Sequence, residues 1–237
     1  MTPRTLRALA EARQQRRLAV LLTRLADGAQ HLMVEAEGLP ETLPAPLLEA
    51  ARRAAGAGRS GAATIEGDAW FVQVHAPAPR LVLIGAVHVA QALAPLARTL
   101  GMMVSVVDPR SGFATAERFP DVALLELWPD EAMAQLRPDA HTAIVTLSHE
   151  ARLDDPALHA ALSGPAFYVG ALGSRRTQAA RRERLAALGH DANALARLHG
   201  PVGLAIGAIG PQEIALSIIA EIVAVRRGAV RREASAG

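Results

Sequence analysis

The stretch that decides the fold is Leu81 to Asp108, LVLIGAVHVAQALAPLARTLGMMVSVVD. It opens on the apolar run Leu81-Val82-Leu83-Ile84, which Gly85 breaks. An apolar-periodic segment follows, roughly Val87 to Leu100, and Gly101 stops it as a left-handed cap would. A second apolar run, Val104 to Val107, ends on Asp108. Strand, glycine turn, helix, strand and carboxylate in about 30 residues make one dinucleotide-binding βαβ unit. Both strands are apolar at successive positions, which suits burial on both faces of a parallel sheet. The turn itself reads Gly85-Ala86-Val87-His88-Val89-Ala90, where the fingerprint is G-x-G-x-x-G/A. Gly85 makes the tight turn and Ala90 permits close helix–strand packing. Val87, however, stands at the glycine that lets a pyrophosphate reach the backbone. The pattern therefore predicts a Rossmann-like fold and weak NAD(P) binding in the usual pose.

Outward from this unit, the 237-residue chain has room for one large domain or two modest ones. Half of it is hydrophobic, enough for a core, yet no run of 18 apolar residues could span a membrane. The polar start, MTPRTLRALAEARQQRR, lacks the apolar centre of a signal peptide, so a cytoplasmic location is expected. There is no cysteine, which excludes disulfides, thiolate nucleophiles, cysteinyl zinc and iron–sulfur clusters held by this chain. There is no lysine either, hence no Walker A lysine and no Schiff base. A pI near 10.2 on a net charge of +2 reflects arginine, which does not titrate below about pH 12. Aromatic residues make up 3%, too few for base-stacking modules, so no nucleic-acid partner is expected.

Residues 1–75 read as a small α+β domain. It comprises a helix over 3–17, strands over 18–25 and 31–36 around Asp27-Gly28, a helix over 44–55, and a hairpin turning at Gly67-Asp68. Asp27, Glu35 and Glu37 read as solvated charges, and His31 and His75 as exposed strand residues. Ala76-Pro77-Ala78-Pro79 is a stiff linker. Residues 80–228 form the Rossmann-like domain, and 229–237 a tail that frays.

Within 80–228 three places carry candidate chemistry. Asp108 lies 23 residues after Gly85, where a ribose-binding acid would sit, and Arg110 would meet a phosphate. The alternative for both is a strand-end ion pair. Ser148-His149-Glu150 follows a predicted strand over 142–147, at the functional edge of such sheets. His149 and Glu150 are the acid–base candidates there, and helix capping by Ser148 is the competing reading. They belong to no zincin motif and Ser148 to no nucleophile elbow. The third place is Gly170-Ala171-Leu172-Gly173-Ser174-Arg175-Arg176-Thr177, another strand–glycine–helix junction. Ser174 is the expected N-cap. Arg175 and Arg176 would oppose the helix dipole unless an anion sits beside them. The alternative is an arginine-rich surface helix, since Arg181, Arg182 and Arg184 follow. The glycine-rich stretch 199–210 then leads to a last helix. Its stripe of Ile214, Ile218, Ile222 and Val225 is core or the interface of a homo-oligomer.

GAVHVAQALAPLA, VVDPRSGFATAERFPD, YVGALGSRR and HGPVGLAIGAIGPQEIALSIIAEIVAVRRG together resemble the XdhC/CoxI family, over about residues 69–228. These are accessory factors of molybdenum hydroxylases such as xanthine and carbon monoxide dehydrogenases. The resemblance implies a chaperone that binds molybdenum cofactor, as molybdopterin or its dinucleotide, and helps its sulfuration or insertion. The implied partners are the apo-enzyme and a sulfurtransferase. Gly85, His88, Asp108, Arg110, Ser148, Gly173, Ser174, Arg175 and Arg176 would bind the cofactor, with no metal ligand and no turnover. Two features depart from the family pattern: Val87 replaces a glycine many members carry, and a Gly-Gly-Cys segment of their longer N-terminal domain is missing. The competing readings are an NAD(P)-dependent oxidoreductase using His149, and a protein-binding adaptor with a relic Rossmann half.

Overall fold

The computed structural model describes residues 2–35 and 43–229. Ala36 at the end of the second expected strand, the expected solvated charge Glu37 and most of the tail lie outside the described residues. The chain divides into two compact units, residues 1–77 and 78–237.

The first unit begins with α1 (Pro3–Gln14), capped by the Thr2 hydroxyl on the Thr5 amide. Strands β1 (Ala19–Arg24) and β2 (Gln30–Val34) follow, then α2 (Ala45–Ala57), β3 (Gly61–Ile65) and β4 (Asp68–His75). The four strands form an antiparallel sheet in the order β2-β1-β4-β3. Both hairpins turn at the glycine signals read in the sequence. Gly28 has φ 73°, while Glu66 and Gly67 have φ 52° and 87°. Val20, Leu22, Val72 and Trp70 point to one side, where Leu47 and Ala51 of α2 cover them. His31 and His75 are partly buried rather than exposed, His31 because its ring packs on Trp70 at 5.9 Å.

The second unit runs β5 (Arg80–Ile84), α3 (His88–Thr99), β6 (Met103–Val107), β7 (Ala123–Leu125), α4 (Pro129–Leu136), β8 (Thr142–Thr146) and α5 (Ala151–Ser163). It continues through β9 (Tyr168–Ala171), α6 (Arg175–Ala187), α7 (Ala192–Ala196), β10 (Leu198–His199) and α8 (Gly210–Arg226). All six strands are parallel, in the order β10-β9-β8-β5-β6-β7. Numbered within this unit, that is the 3-2-1-4-5-6 order of doubly wound dinucleotide-binding folds. The order reverses between β5 and β8, so the crevice lies past Ile84 and Thr146, which pair in register.

The near-continuous apolar strands are explained by this sandwich. Leu81 and Leu83 of β5 enter one core with Val89, Ala90 and Leu93 of α3 and Ile218 and Ile222 of α8. Val82 and Ile84 enter the other, with Met133 of α4 and Ala157, Leu158 and Ala161 of α5. Each of the valines, leucines, isoleucines and methionine among them contributes about 1.5–3 kcal/mol by leaving water. The stripe on α8 is therefore core. A sixth strand, β10, was not expected. Two residues long, it exists through its pairing with Val169 and Gly170.

Candidate functional site

Parallel strands bring their carboxyl ends to one edge. Ile84 pairs with both Thr146 and Val107, and Thr146 with Ala171, so the Gly85, Ser148 and Gly173 segments emerge side by side. Gly85 has φ 102°, and a Cβ there would meet the Ser148 backbone nitrogen at 3.1 Å. Glycine is thus required twice over, by conformation and by contact with the neighbouring strand end.

Beyond Gly85 the turn folds around Asp108. This carboxylate is fully buried and accepts the Ala86 amide at 2.8 Å. It also accepts Arg110 through the backbone amide at 3.0 Å, Nε at 2.8 Å and Nη2 at 2.7 Å. Burial pushes Asp108 upward, but these donors outweigh it and hold the carboxyl below its usual range. Arg110 stacks over Phe113 at 4.2 Å and reaches Glu150 at 2.8 Å. Its guanidinium therefore ties the strand ends of β6 and β8 together across the intervening β5. Of the alternatives for Asp108 and Arg110, the strand-end ion pair is the one the side chains form. Asp108 has no oxygen facing a ribose without losing one of these bonds. Val87 is the N-cap of α3, without a side-chain cap bond, and packs partly on the core beneath; His88 is exposed beside it.

At the end of β8, Ser148 accepts the Glu150 amide at 3.1 Å in a local turn and does not cap α5, whose N-cap is Glu150 without a side-chain bond. It donates to Asp154 at 2.6 Å. His149 is exposed at φ 61°, a left-handed conformation unusual for a non-glycine residue. Glu150 is held by Arg110 and, at 3.1 Å, by Arg152. His149 and Glu150 therefore do not form an acid–base pair with each other in this arrangement, because Glu150 faces two guanidinium groups.

At the end of β9, Gly173 has φ 139° and Ser174 caps α6 by accepting the Thr177 amide at 3.2 Å. Arg175 and Arg176 occupy the first helical turn, exposed. Among the described residues they make no ion pair or side-chain hydrogen bond. Arg182 and Arg197, by contrast, bond the carbonyls of Leu195 and Leu198, and of Leu162, Gly164 and Ala166.

Arg181 departs from the arginine-rich surface helix, whose Arg175, Arg176 and Arg184 are exposed. It is 2% exposed. It donates to Asp154 at 2.9 Å, to Gln178 at 2.8 Å and to the Leu172 carbonyl at 3.2 Å. Gln178 in turn donates to the Ala171 carbonyl at 2.8 Å. Burial pushes the Asp154 carboxyl up, against the pull of Ser148 and Arg181. A buried polar chain thus runs from Ser148, against Gly85, to the backbone just before Gly173. Sequence reasoning missed Asp154, Gln178 and Arg181. A signal existed: each lies on the buried stripe of its helix, Asp154 with Ala157, Leu158 and Ala161, and Gln178 and Arg181 with Leu185. A second missed group is Glu221. It accepts Tyr168 at 2.5 Å, His199 at 2.9 Å and the Gly203 amide at 2.8 Å, and so pins the glycine-rich loop to α8. Burial would raise Glu221, but these partners together lower it.

The XdhC Rossmann domain model matches residues 81–222, the span that carries all of these strand ends. This chain belongs to the XdhC family. It is 36% identical to an uncharacterised Escherichia coli protein, YqeB, over 83% of this chain and 38% of that protein. It is 35% identical to a probable xanthine dehydrogenase subunit of Bacillus subtilis, over 66% of this chain and 46% of the relative. It is 33% identical to the molybdenum cofactor insertion chaperone PaoD of Escherichia coli, over 63% and 41%. The chain thus spans less than half the length of these relatives. A crystal structure described as a xanthine dehydrogenase from Bacillus halodurans shares the fold with a TM-score of 0.65. The likeness covers 98% of this chain and 65% of that one at 22% identity. Among the described residues no helix is long and apolar enough to cross a membrane.

Proposed function

We propose that this XdhC protein is an accessory factor that binds molybdenum cofactor at the carboxyl edge of its parallel sheet and delivers it to a molybdenum hydroxylase apo-enzyme. The observation that carries this reading is the pair of guanidinium groups, Arg175 and Arg176, on the first turn of α6, which have no partner among the described residues. Two cations at the positive end of a helix dipole repel it, and an anionic ligand turns that arrangement favourable. The donor set fits the phosphate end of a pterin cofactor: cationic side chains with the free first-turn amides of Arg175 and Arg176 behind them. It supplies no thiolate to the metal, since the chain has no cysteine. When bound to a hydroxylase, the cofactor supplies the redox chemistry; in this chain Arg175 and Arg176 bind and Ser174 keeps the helix start in place. Gly85, His88 and Ser148 line the neighbouring strand ends, where the rest of the ligand would lie. The kinship with PaoD supports the choice of ligand.

The test is melting temperature and calorimetry with released molybdenum cofactor, NADH and NADPH in parallel. Stabilisation by the pterin cofactor alone is expected. Sub-micromolar binding of NADH would transfer the reading to an oxidoreductase, and no response to any of the three would leave a protein-binding adaptor.

A further inference from the structure

Away from the carboxyl edge of the sheet, α5 is joined to α6 and to the residues just after it by three successive rungs. The first is the buried Asp154–Arg181 pair and the second is Asp155 with Arg184, at 2.5 and 3.0 Å. The third is His159 with His190. Nδ1 of His159 and Nε2 of His190 lie 2.9 Å apart, with ring centroids 4.9 Å apart and planes inclined by 65°. His159 follows Asp155 by one helical turn. His190 is aimed back by Gly189, which leaves α6 at φ 97°. The first two rungs run in one direction along both helices because both follow parallel strands, and the third joins α5 to the turn that leaves α6. His159 is exposed and His190 partly so, which leaves an open approach.

Two ring nitrogens that face one another at this distance share one hydrogen: one donates and the other accepts. A divalent ion can take the place of that hydrogen. Imidazole–metal bonds of about 2.0–2.1 Å at a tetrahedral angle set the two nitrogens roughly 3.3 Å apart, an opening of roughly 0.4 Å. A rotation of either ring supplies that. We propose that His159 and His190 form a site for one borderline divalent transition metal, zinc, nickel or copper, the ions that imidazole nitrogen favours. The remaining positions go to water or to a donor from a second molecule. Among the described residues no third His, Cys, Asp or Glu joins them to complete a closed site. The neighbouring Asp191 has one oxygen engaged in capping α7 through the Ala194 amide at 2.7 Å. The site stands apart from the cofactor reading and survives its failure.

Calorimetry of the untagged chain with zinc and nickel chloride tests it. One ion per chain is expected, with affinity at least ten-fold weaker in His159→Gln and in His190→Gln, and unchanged in His31→Ala. A Cu(II) spin-resonance spectrum of the unaltered chain gives a second readout that does not depend on any variant folding: two bound ring nitrogens are expected. Absence of binding, binding that both glutamine variants retain, or a spectrum without ring nitrogen would overturn the site and leave the pair as a hydrogen bond alone.

Discussion

The two strand–glycine–helix junctions on the sheet's carboxyl edge look alike in sequence and differ in electrostatics. At the Gly85 junction the helix start is uncapped and apolar, and the chain's own charges close the site. Asp108 takes the Ala86 amide and three bonds from Arg110, and Arg110 goes on to Glu150. At the Gly173 junction Ser174 caps the helix and two arginines on the first turn face solvent, without a partner among the described residues. The first resembles a ligand site filled from within; the second is left with uncompensated positive charge. A shared βαβ pattern therefore sets where a site can form, while the charges after the strand decide whether it is open. Between them runs the Ser148–Asp154–Arg181–Gln178 chain, which fixes one junction relative to the other.

The largest effect is expected from cutting that chain. Arg181→Ala leaves Asp154 buried without its cation and should destabilise the protein by about 3–5 kcal/mol in urea unfolding. A loss under about 1 kcal/mol would mean that the two junctions are held by something else.

Next comes the open junction. Arg175→Ala with Arg176→Ala should weaken pterin-cofactor binding by about ten- to a hundred-fold for each of the two charge-assisted bonds lost, at roughly 1.5–3 kcal/mol each. The salt dependence of the remaining affinity should flatten. Stability should change by under about 0.5 kcal/mol, as for other exposed substitutions. Wild-type affinity in a normally melting double variant would remove the contrast between the junctions.

The closed junction should show itself in acid. Asp108 is depressed in the folded state, so its stabilisation is complete above its ordinary value of 3.8 and is lost as pH falls through the lower folded value. Asp108→Asn should cost about 1.5–3 kcal/mol at neutral pH and flatten the acid limb of the stability curve below about pH 4. A variant whose urea midpoint tracks the parent's from pH 2 to 7 would show that Asp108 is not the lock.

The smallest effect concerns Val87. If the charges close this junction, removing the side chain alone does not open it. Val87→Gly should leave NADH affinity within about three-fold of the parent, under roughly 0.7 kcal/mol. A gain of a hundred-fold by calorimetry would put the obstruction on the valine instead.

What could be read from residues alone follows from the range of the forces. Strands β5 and β8 are buried on both faces, so their apolar runs mark themselves, and Gly85 ends the first of them locally. β10 escaped because two residues have no periodicity, and their partners lie about 30 positions earlier. Arg110 and Glu150 were each visible as candidates, but their bond joins residues 40 apart that only the strand order β8-β5-β6 brings together. Arg181 and Arg175 have the same chemistry six positions apart on one helix. Helical phase turns Arg181 under α5 towards Asp154 and leaves Arg175 in solvent, and composition carries no trace of that choice. By itself the sequence determined the βαβ grammar, the absence of thiol and lysine chemistry, and the edge at which a site would lie, because hydrophobic period and glycine placement are local properties. Tertiary structure alone decided which charges cancel and which remain free, because an ion pair depends on distances across elements that pack together only when the sheet is assembled.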